Sequence, residues 1–146
     1  KHRFLLLRVG YRYLHSFSGG SDEHRGVLEA TGRYPLAAGL LVSNRGRIDL
    51  RFIGGEDSWR FRNRLSVEKE IVIGRIRTTP YARGEVYYDS RSAEWSRTEW
   101  IAGAAIPIRR RLEVETYFSY QNDTGGDVNR QVYAIGAVLN LYFRNR

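Results

Sequence analysis

The alternation of charged and apolar side chains constrains the fold of this chain more than any other feature. In residues 58–70 (SWRFRNRLSVEKE), the charged side chains stand mainly on even positions and the large apolar ones on odd positions. A period of two is the period of a β-strand, whose successive side chains point to opposite faces of a sheet. The segment is therefore predicted to be a strand with one charged face and one apolar face.

The same period recurs along the whole chain, and no segment has the spacing of an amphipathic helix. It predicts eight strands, at about residues 4–14, 25–34, 40–53, 58–70, 81–89, 95–108, 111–121 and 129–143. Polar, glycine-rich loops alternate with mostly tight turns, although residues 72–80 form a longer connection. We therefore predict a single all-β domain over residues 1–146, folded as an antiparallel, up-and-down sheet.

Two kinds of protein contain strands of this type. In a water-soluble sheet the charged row faces solvent, whereas in an outer-membrane barrel it lines the lumen and the apolar row faces lipid. When each predicted strand is sorted by parity, one face has no charged residue and the other carries 14 arginines and nine carboxylates. The position of the aromatic residues on the uncharged face distinguishes the two readings.

Aromatic residues gather near the polar-loop end of the uncharged face, and aliphatic residues fill its middle. This arrangement is typical of the girdle that borders the lipid belt of a transmembrane barrel. The predicted aromatic girdle consists of Tyr11, Tyr13, Phe52, Trp59, Phe61, Tyr88, Phe118, Tyr120 and Tyr133, with Phe143 near the opposite end. The pattern favours an antiparallel transmembrane β-barrel of about eight strands with a polar lumen.

The charged face is predicted to fill that lumen with ion pairs, because eight strands enclose a space that side chains can occupy. All but two of the 24 basic residues are arginines, whose planar fork suits paired carboxylates in confined places. If residues 53 and 58 pair in a hairpin, Asp49 lies opposite Arg62. The predicted lumen ion-pair network consists of Arg8, Arg12, Glu29, Arg47, Asp49, Arg51, Arg60, Arg62, Arg64, Glu68, Glu70, Arg83, Glu85, Arg97, Glu99, Arg111, Glu113, Glu115 and Arg130.

Other functional classes have weaker support. A net charge of +8 suggests an acidic partner, but interleaved carboxylates argue against a nucleic-acid surface, so we expect no nucleic acid. His15, Asp22, Glu23 and His24 lie on one polar hairpin and could converge on a divalent metal, yet their spacing matches no recognised motif. Without cysteine, a nucleophile elbow or a phosphate loop, the sequence predicts no metal, no cofactor and no enzymatic activity.

Four blocks of sequence carry a family resemblance: FRNRLSVEKE (61–70), TPYARGEVYYDSRSAEWSRTEWIAGAAIPI (79–108), LEVETYFSYQND (112–123) and VYAIGAVLNLYF (132–143). The chain resembles, over about residues 43–143, a bacterial family of uncharacterised outer-membrane barrel proteins with a domain-of-unknown-function label. The resemblance implies a Gram-negative outer-membrane location and no known activity. Family members often have further upstream strands, which leaves a larger barrel open. The last strand also looks like the C-terminal signal that the outer-membrane assembly machinery recognises.

We therefore expect an outer-membrane barrel with a structural, anchoring or surface-interaction role, with both termini on the periplasmic side and the polar loops outside. Its expected partners are the lipid bilayer, lipopolysaccharide and the assembly machinery, with subunits of a larger envelope complex as a further alternative. Two other functions stay open. One is a narrow, porin-like pore that prefers anions, and the other is a soluble arginine-rich barrel that binds nucleic acid or an acidic partner.

Overall fold

The alternating segments form antiparallel strands in the computed structural model, which describes residues 4–17, 20–74, 76–109, 111–125 and 129–143. The strands are β1 (Leu5–Leu14), β2 (Glu23–Pro35), β3 (Leu40–Ile53), β4 (Glu56–Lys69), β5 (Ile71–Ile73), β6 (Ile76–Asp89), β7 (Glu94–Arg109), β8 (Leu112–Asp123) and β9 (Arg130–Leu141). A single 3-10 turn, Ala37–Gly39, joins β2 to β3. Within the described ranges there is no helix long and apolar enough to cross a membrane.

The strands follow one another across a single sheet in the order β1-β2-β3-β4-β6-β7-β8-β9. The predicted all-β, antiparallel, up-and-down sheet is confirmed. The strand count differs from the prediction because β5 forms a short hairpin with the first residues of β6, within the connection at 72–80. Gly74 begins this turn with φ of +64°, a conformation that glycine adopts without a side-chain clash.

The sheet is not closed into a barrel. Among the described residues, β1 pairs only with β2 and β9 only with β8, so each has an unpaired edge. All ten residues of β1 are exposed, since no strand covers that edge. The expected closed barrel is therefore absent from the described structure, although the order and direction of its strands are present.

The hairpin between β3 and β4 is tighter than the sequence suggested. Gly54 and Gly55 form a two-residue turn with φ of +58° and +88°, which suits the right-handed twist of a hairpin. Ile53 consequently pairs with Glu56, and Asp49 lies opposite Arg60. The expectation that Asp49 faces Arg62 was wrong, because the two glycines turn the chain two residues earlier on the β4 side.

A β-bulge changes the facing of residues at the start of β7. Tyr87 pairs with Arg97 and Tyr88 pairs with Trp95, so Ser96 has no direct partner on β6. Trp95 consequently packs edge-on against Tyr88, with ring centroids 5.6 Å apart. Strict alternation along β7 would place Ser96 on the uncharged face with Thr98 and Trp100. The extra residue of a bulge breaks that parity.

The buried residues lie on the charged face of the sheet. Only Tyr81 and Tyr87 are buried hydrophobic residues, and the other six buried positions in the described structure are polar: Glu29, Asp49, Arg51, Ser66, Glu85 and Asp89. These side chains come from β2, β3, β4 and β6. A single sheet buries them only by curving around them, so the charged face is concave and the core is polar.

Close packing on this face requires glycine at Gly103 in β7. A Cβ added there would lie 2.5 Å from the backbone oxygen of Thr116 and 2.6 Å from the hydroxyl of Tyr81. At Gly46 in β3, an added Cβ would meet only a ring carbon of Phe61, at 3.9 Å. The two positions therefore differ in the room they leave for a side chain, although both lie inside interior strands.

We predict that Gly103→Ala lowers the free energy of unfolding by about 1–3 kcal/mol, since overpacking displaces the backbone or Tyr81. Gly46→Ala should be neutral or stabilising by up to about 1 kcal/mol. Urea titrations of both variants, followed by tryptophan fluorescence, measure the difference. Equal effects of the two substitutions would contradict the packing at Gly103.

Candidate functional site

The centre of the concave face is the carboxylate of Glu85, which is 2% exposed. It accepts hydrogen bonds from Arg45 Nη2 at 3.0 Å, Arg62 Nε at 3.2 Å and Arg64 Nη2 at 2.5 Å. Strand register brings Arg64 directly opposite Glu85, whereas Arg45 reaches from β3 across β4. Three guanidinium groups thus compensate one buried carboxylate and join three strands.

Tyr87 extends this cluster to β7. Its hydroxyl lies 3.1 Å from Glu85 Oε2 and 3.0 Å from Glu99 Oε2, and it accepts a hydrogen bond from Arg62 Nη2 at 3.1 Å. The guanidinium of Arg62 also stands over the Tyr87 ring, 4.6 Å from its centroid. A buried tyrosine hydroxyl normally has such partners.

A second cluster surrounds Asp89 at the polar-loop end of β6. Arg51 Nη2 donates to both carboxylate oxygens, at 2.9 and 3.0 Å, and Arg60 Nη2 donates at 2.8 Å. Arg91, in the turn after β6, approaches the same carboxylate at 3.4 Å. Arg51 and Asp89 are both buried, so this pairing replaces water around charges that would otherwise be costly to bury.

Smaller pairs continue the network towards both edges of the sheet. Each joins an arginine to a carboxylate of the same or a nearby strand. They are Arg8 with Glu29 at 3.2 Å, Arg47 with Asp49 at 2.7 Å, Arg83 with Glu115 at 3.5 Å and Arg97 with Asp123 at 2.5 Å. Tyr81 donates its hydroxyl proton to Glu115. The ion pairs therefore run from β1 to β8.

Not every residue of the predicted network lies in it. Glu70 pairs with Arg77 at 3.5 Å in a position where both side chains are exposed. Glu113 accepts hydrogen bonds from Asn140 and Tyr142. In strand register, Arg12 stands opposite Arg25, Glu68 opposite Tyr81 and Arg130 opposite Asp123. Arg111 lies in the turn before β8 and its carbonyl accepts from the Tyr142 amide.

The predicted network also omitted several side chains that hold it together. Arg45, Tyr81, Tyr87, Asp89 and Asp123 all contribute, as described above. All five share the odd parity of predicted members on their own strands, such as Arg47 on β3, Glu85 on β6 and Glu115 on β8. Parity could therefore have identified the two tyrosines, had hydroxyl groups been considered as partners for the charges.

Aromatic side chains form contacts along the convex face. Trp59 stacks on Tyr88 at 5.2 Å between centroids, and Tyr120 lies 5.0 Å from Tyr133. Phe118 also contacts Tyr133, at 6.3 Å. Among the other predicted girdle residues, Tyr11, Tyr13, Phe52 and Phe143 are exposed, and Phe61 is half-buried. Trp95 joins this surface through the bulge.

The candidate metal ligands of the β1–β2 hairpin make other contacts. Asp22 accepts from the Tyr13 hydroxyl at 2.5 Å and lies 2.7 Å from His15 Nδ1. The Tyr13 hydrogen bond, helped by the Ser16 amide, lowers the pKa of the Asp22 carboxyl. Glu23 pairs with Arg25, and His24 contacts Tyr11. No group of three or more potential metal ligands occurs in the described parts of the chain.

Comparison with known protein families identifies one match. The family described as "protein of unknown function (DUF2490)" matches residues 2–132. The chain belongs to this family. The expected membership of a family of unknown function is thus confirmed, and the DUF2490 match covers β1 to β8, which contain the ion-pair network. Searches of curated proteins and of solved structures find no match.

The buried position of Glu85 in this DUF2490 protein predicts a large effect of its neutralisation. Glu85→Gln keeps the shape of the side chain but leaves three arginines without their shared carboxylate, which should cost about 3–5 kcal/mol of unfolding free energy. Glu70→Gln removes a carboxylate from an exposed pair and should cost less than about 1 kcal/mol. Urea titration of both variants measures the effects, and a loss at Glu85 no larger than that at Glu70 would contradict the role of the network.

Proposed function

We propose that this protein is an integral β-barrel of the bacterial outer membrane with a structural, anchoring or surface-interaction role and no catalysis. The observation that carries the proposal is the inverted distribution of polarity. Six of the eight buried residues in the described ranges are polar or charged, while large apolar side chains stand exposed, Ile135 at 89% and Trp100 at 59%. Water-soluble domains bury such residues, and large exposed apolar surfaces mark contacts with membranes or proteins.

The convex face has the features expected of a lipid-facing surface. Leu50, Leu65 and Leu139 are exposed in its aliphatic middle, at 42%, 51% and 60%. The aromatic contacts of Trp59, Tyr88 and Trp95 lie nearer the polar-loop end. An apolar belt next to an aromatic girdle is the outer surface of a transmembrane barrel. The main strands have 10 to 16 residues, enough for the roughly 9–11 that a tilted spanning strand needs.

Insertion into lipid requires closure of the sheet, and we propose that the free edges of β1 and β9 are paired in the membrane. Backbone groups at a strand edge have no water to bind in the hydrocarbon layer, so only a closed barrel avoids that cost. In this arrangement the termini face the periplasm and the polar loops face outwards. The concave network then fills the lumen and fastens the strands together.

The proposed partners follow from this placement. The convex face contacts the lipid bilayer, and the outer loops adjoin lipopolysaccharide. Strand β9, with Tyr142 and Phe143 directly after it, engages the outer-membrane assembly machinery. Subunits of a larger envelope complex are further proposed partners. The outer loops lie outside the lipid in this arrangement, so they are accessible to such subunits.

A narrow anion-preferring pore is the second candidate, favoured by the excess of arginine on the concave face. The clusters around Glu85 and Asp89 each place three arginines on one carboxylate.

Planar-bilayer recording distinguishes the plugged barrel from the pore. A barrel plugged by its ion pairs leaves the bilayer silent, whereas discrete anion-selective steps would favour the pore.

Cell fractionation tests the proposed location. The protein should sediment with outer membranes, require detergent for extraction and migrate faster on gels before boiling than after. Recovery in the soluble fraction without detergent would overturn the proposal and favour the soluble arginine-rich barrel.

Two neighbouring residues of β9 provide a sharper prediction. Leu139 lies on the convex face, whereas Val138 lies on the concave face opposite Glu115. Near the bilayer midplane, Leu139→Arg should lower the unfolding free energy by about 2–4 kcal/mol. Val138→Arg should be tolerated, because its charge can pair with Glu115.

Urea titration of both variants in phospholipid vesicles measures this difference. In a water-soluble sheet, Leu139→Arg would be nearly neutral, within about 0.5 kcal/mol, since the side chain is already exposed. That outcome in vesicles would contradict a lipid-facing β9.

A further inference from the structure

A cavity of about 340 Å³ lies at the polar-loop end of the concave face. Side chains of β4, β6, β7 and β8 and of the turn after β6 line it. Its charged and hydroxyl groups include Arg60, Asp89, Arg91, Ser96, Arg97 and Asp123. The bulge at the start of β7 brings Ser96 to this cavity.

The positive charge around the cavity exceeds the negative charge. Asp89 faces Arg51, Arg60 and Arg91, whereas Arg97 and Asp123 balance each other. Glu94 lies opposite Asp89 in strand register and makes contacts of its own. Among the residues that line the cavity, the three arginines Arg60, Arg91 and Arg97 face the two carboxylates Asp89 and Asp123. The cavity therefore attracts anions.

The carboxylate of Asp89 also has more hydrogen-bond donors around it than its oxygens can fully accept. Seven donor contacts reach its two oxygens, two from Arg51, two from Arg60 and three from Arg91, including the Arg91 backbone amide. Two carboxylate oxygens offer about four lone-pair sites. The two side-chain contacts of Arg91 are accordingly the longest, at 3.4 Å each.

Arg91 consequently retains unused donor capacity. A guanidinium has five N–H donors, and within the described structure the Arg91 side chain contacts no acceptor other than Asp89. Its side chain is 55% exposed beside the cavity. A further oxygen-rich anion in the cavity would relieve the competition for Asp89.

We propose that this cavity is a binding site for a small soluble anion that carries a phosphate group. Arg91 supplies the main guanidinium fork, Arg60 and Arg97 supply further positive charge, and the hydroxyl of Ser96 adds a neutral donor. Arginine forks match the oxygens of phosphate in a two-point contact. The strand residues that line the cavity, such as Arg60, Tyr87 and Asp123, belong to the charged face, so the ligand is a soluble molecule. The site stands independently of membrane insertion.

Isothermal titration of the purified full chain with inorganic phosphate, at ionic strength held constant with chloride, tests the proposal. The unmodified protein should show saturable binding to one site. Arg91→Gln should weaken phosphate binding by about tenfold or more, since charged hydrogen bonds are lost. Arg91→Lys, which keeps the charge but not the fork, should fall between the two.

Arg77→Gln is the matched control. Arg77 is similarly exposed, pairs with Glu70 at a similar 3.5 Å and lies outside the cavity, so this variant should bind phosphate normally. Ser96→Asp adds a carboxylate to the cavity and should abolish binding. Circular dichroism checks that each variant is folded. Absence of saturable phosphate binding, or equal weakening by the Arg91 and Arg77 substitutions, would overturn the proposal.

Discussion

The buried carboxylate of Glu85 accepts hydrogen bonds from Arg45, Arg62 and Arg64. Removing a carboxylate from water costs several kcal/mol unless fixed positive groups replace its hydration. Here the compensation comes from three strands at once, so the charge is stable only when β3, β4 and β6 lie in their observed register. The polar core thus specifies the arrangement of the sheet, a task that apolar side chains perform in soluble domains.

This core accounts for the choice of residue types. Arginine can share its planar fork among several acceptors, whereas a lysine ammonium is a compact and strongly hydrated charge. Tyrosine supplies a ring over which Arg62 and Arg97 stand and a hydroxyl that joins carboxylates of adjacent strands. Gly103 leaves room for Tyr81 to reach Glu115. Polar pairing and close packing are therefore properties of the same concave surface.

Much of the fold could be predicted from the sequence because a period of two assigns each strand residue to a face. Parity placed Arg62, Arg64 and Glu85 together on one side, as observed. It could not give the two-glycine turn that pairs Asp49 with Arg60, or the bulge that turns Trp95 outwards, since both depend on local backbone geometry. Contacts across an intervening strand, such as Arg45 with Glu85, depend on sheet curvature, which alternation does not encode.

Spin labels at neighbouring positions of β4 test the inverted polarity most directly. The sequence contains no cysteine, so Leu65→Cys, Ser66→Cys and Val67→Cys each give a single attachment point in the refolded protein in lipid vesicles. Leu65 and Val67 are on the exposed convex face and Ser66 is buried on the concave face. We predict that labels at 65 and 67 collide more with dissolved oxygen than with a water-soluble nickel complex, and that the label at 66 is shielded from oxygen. Greater nickel access at 65 and 67 than at 66 would place the apolar face in water and contradict the account.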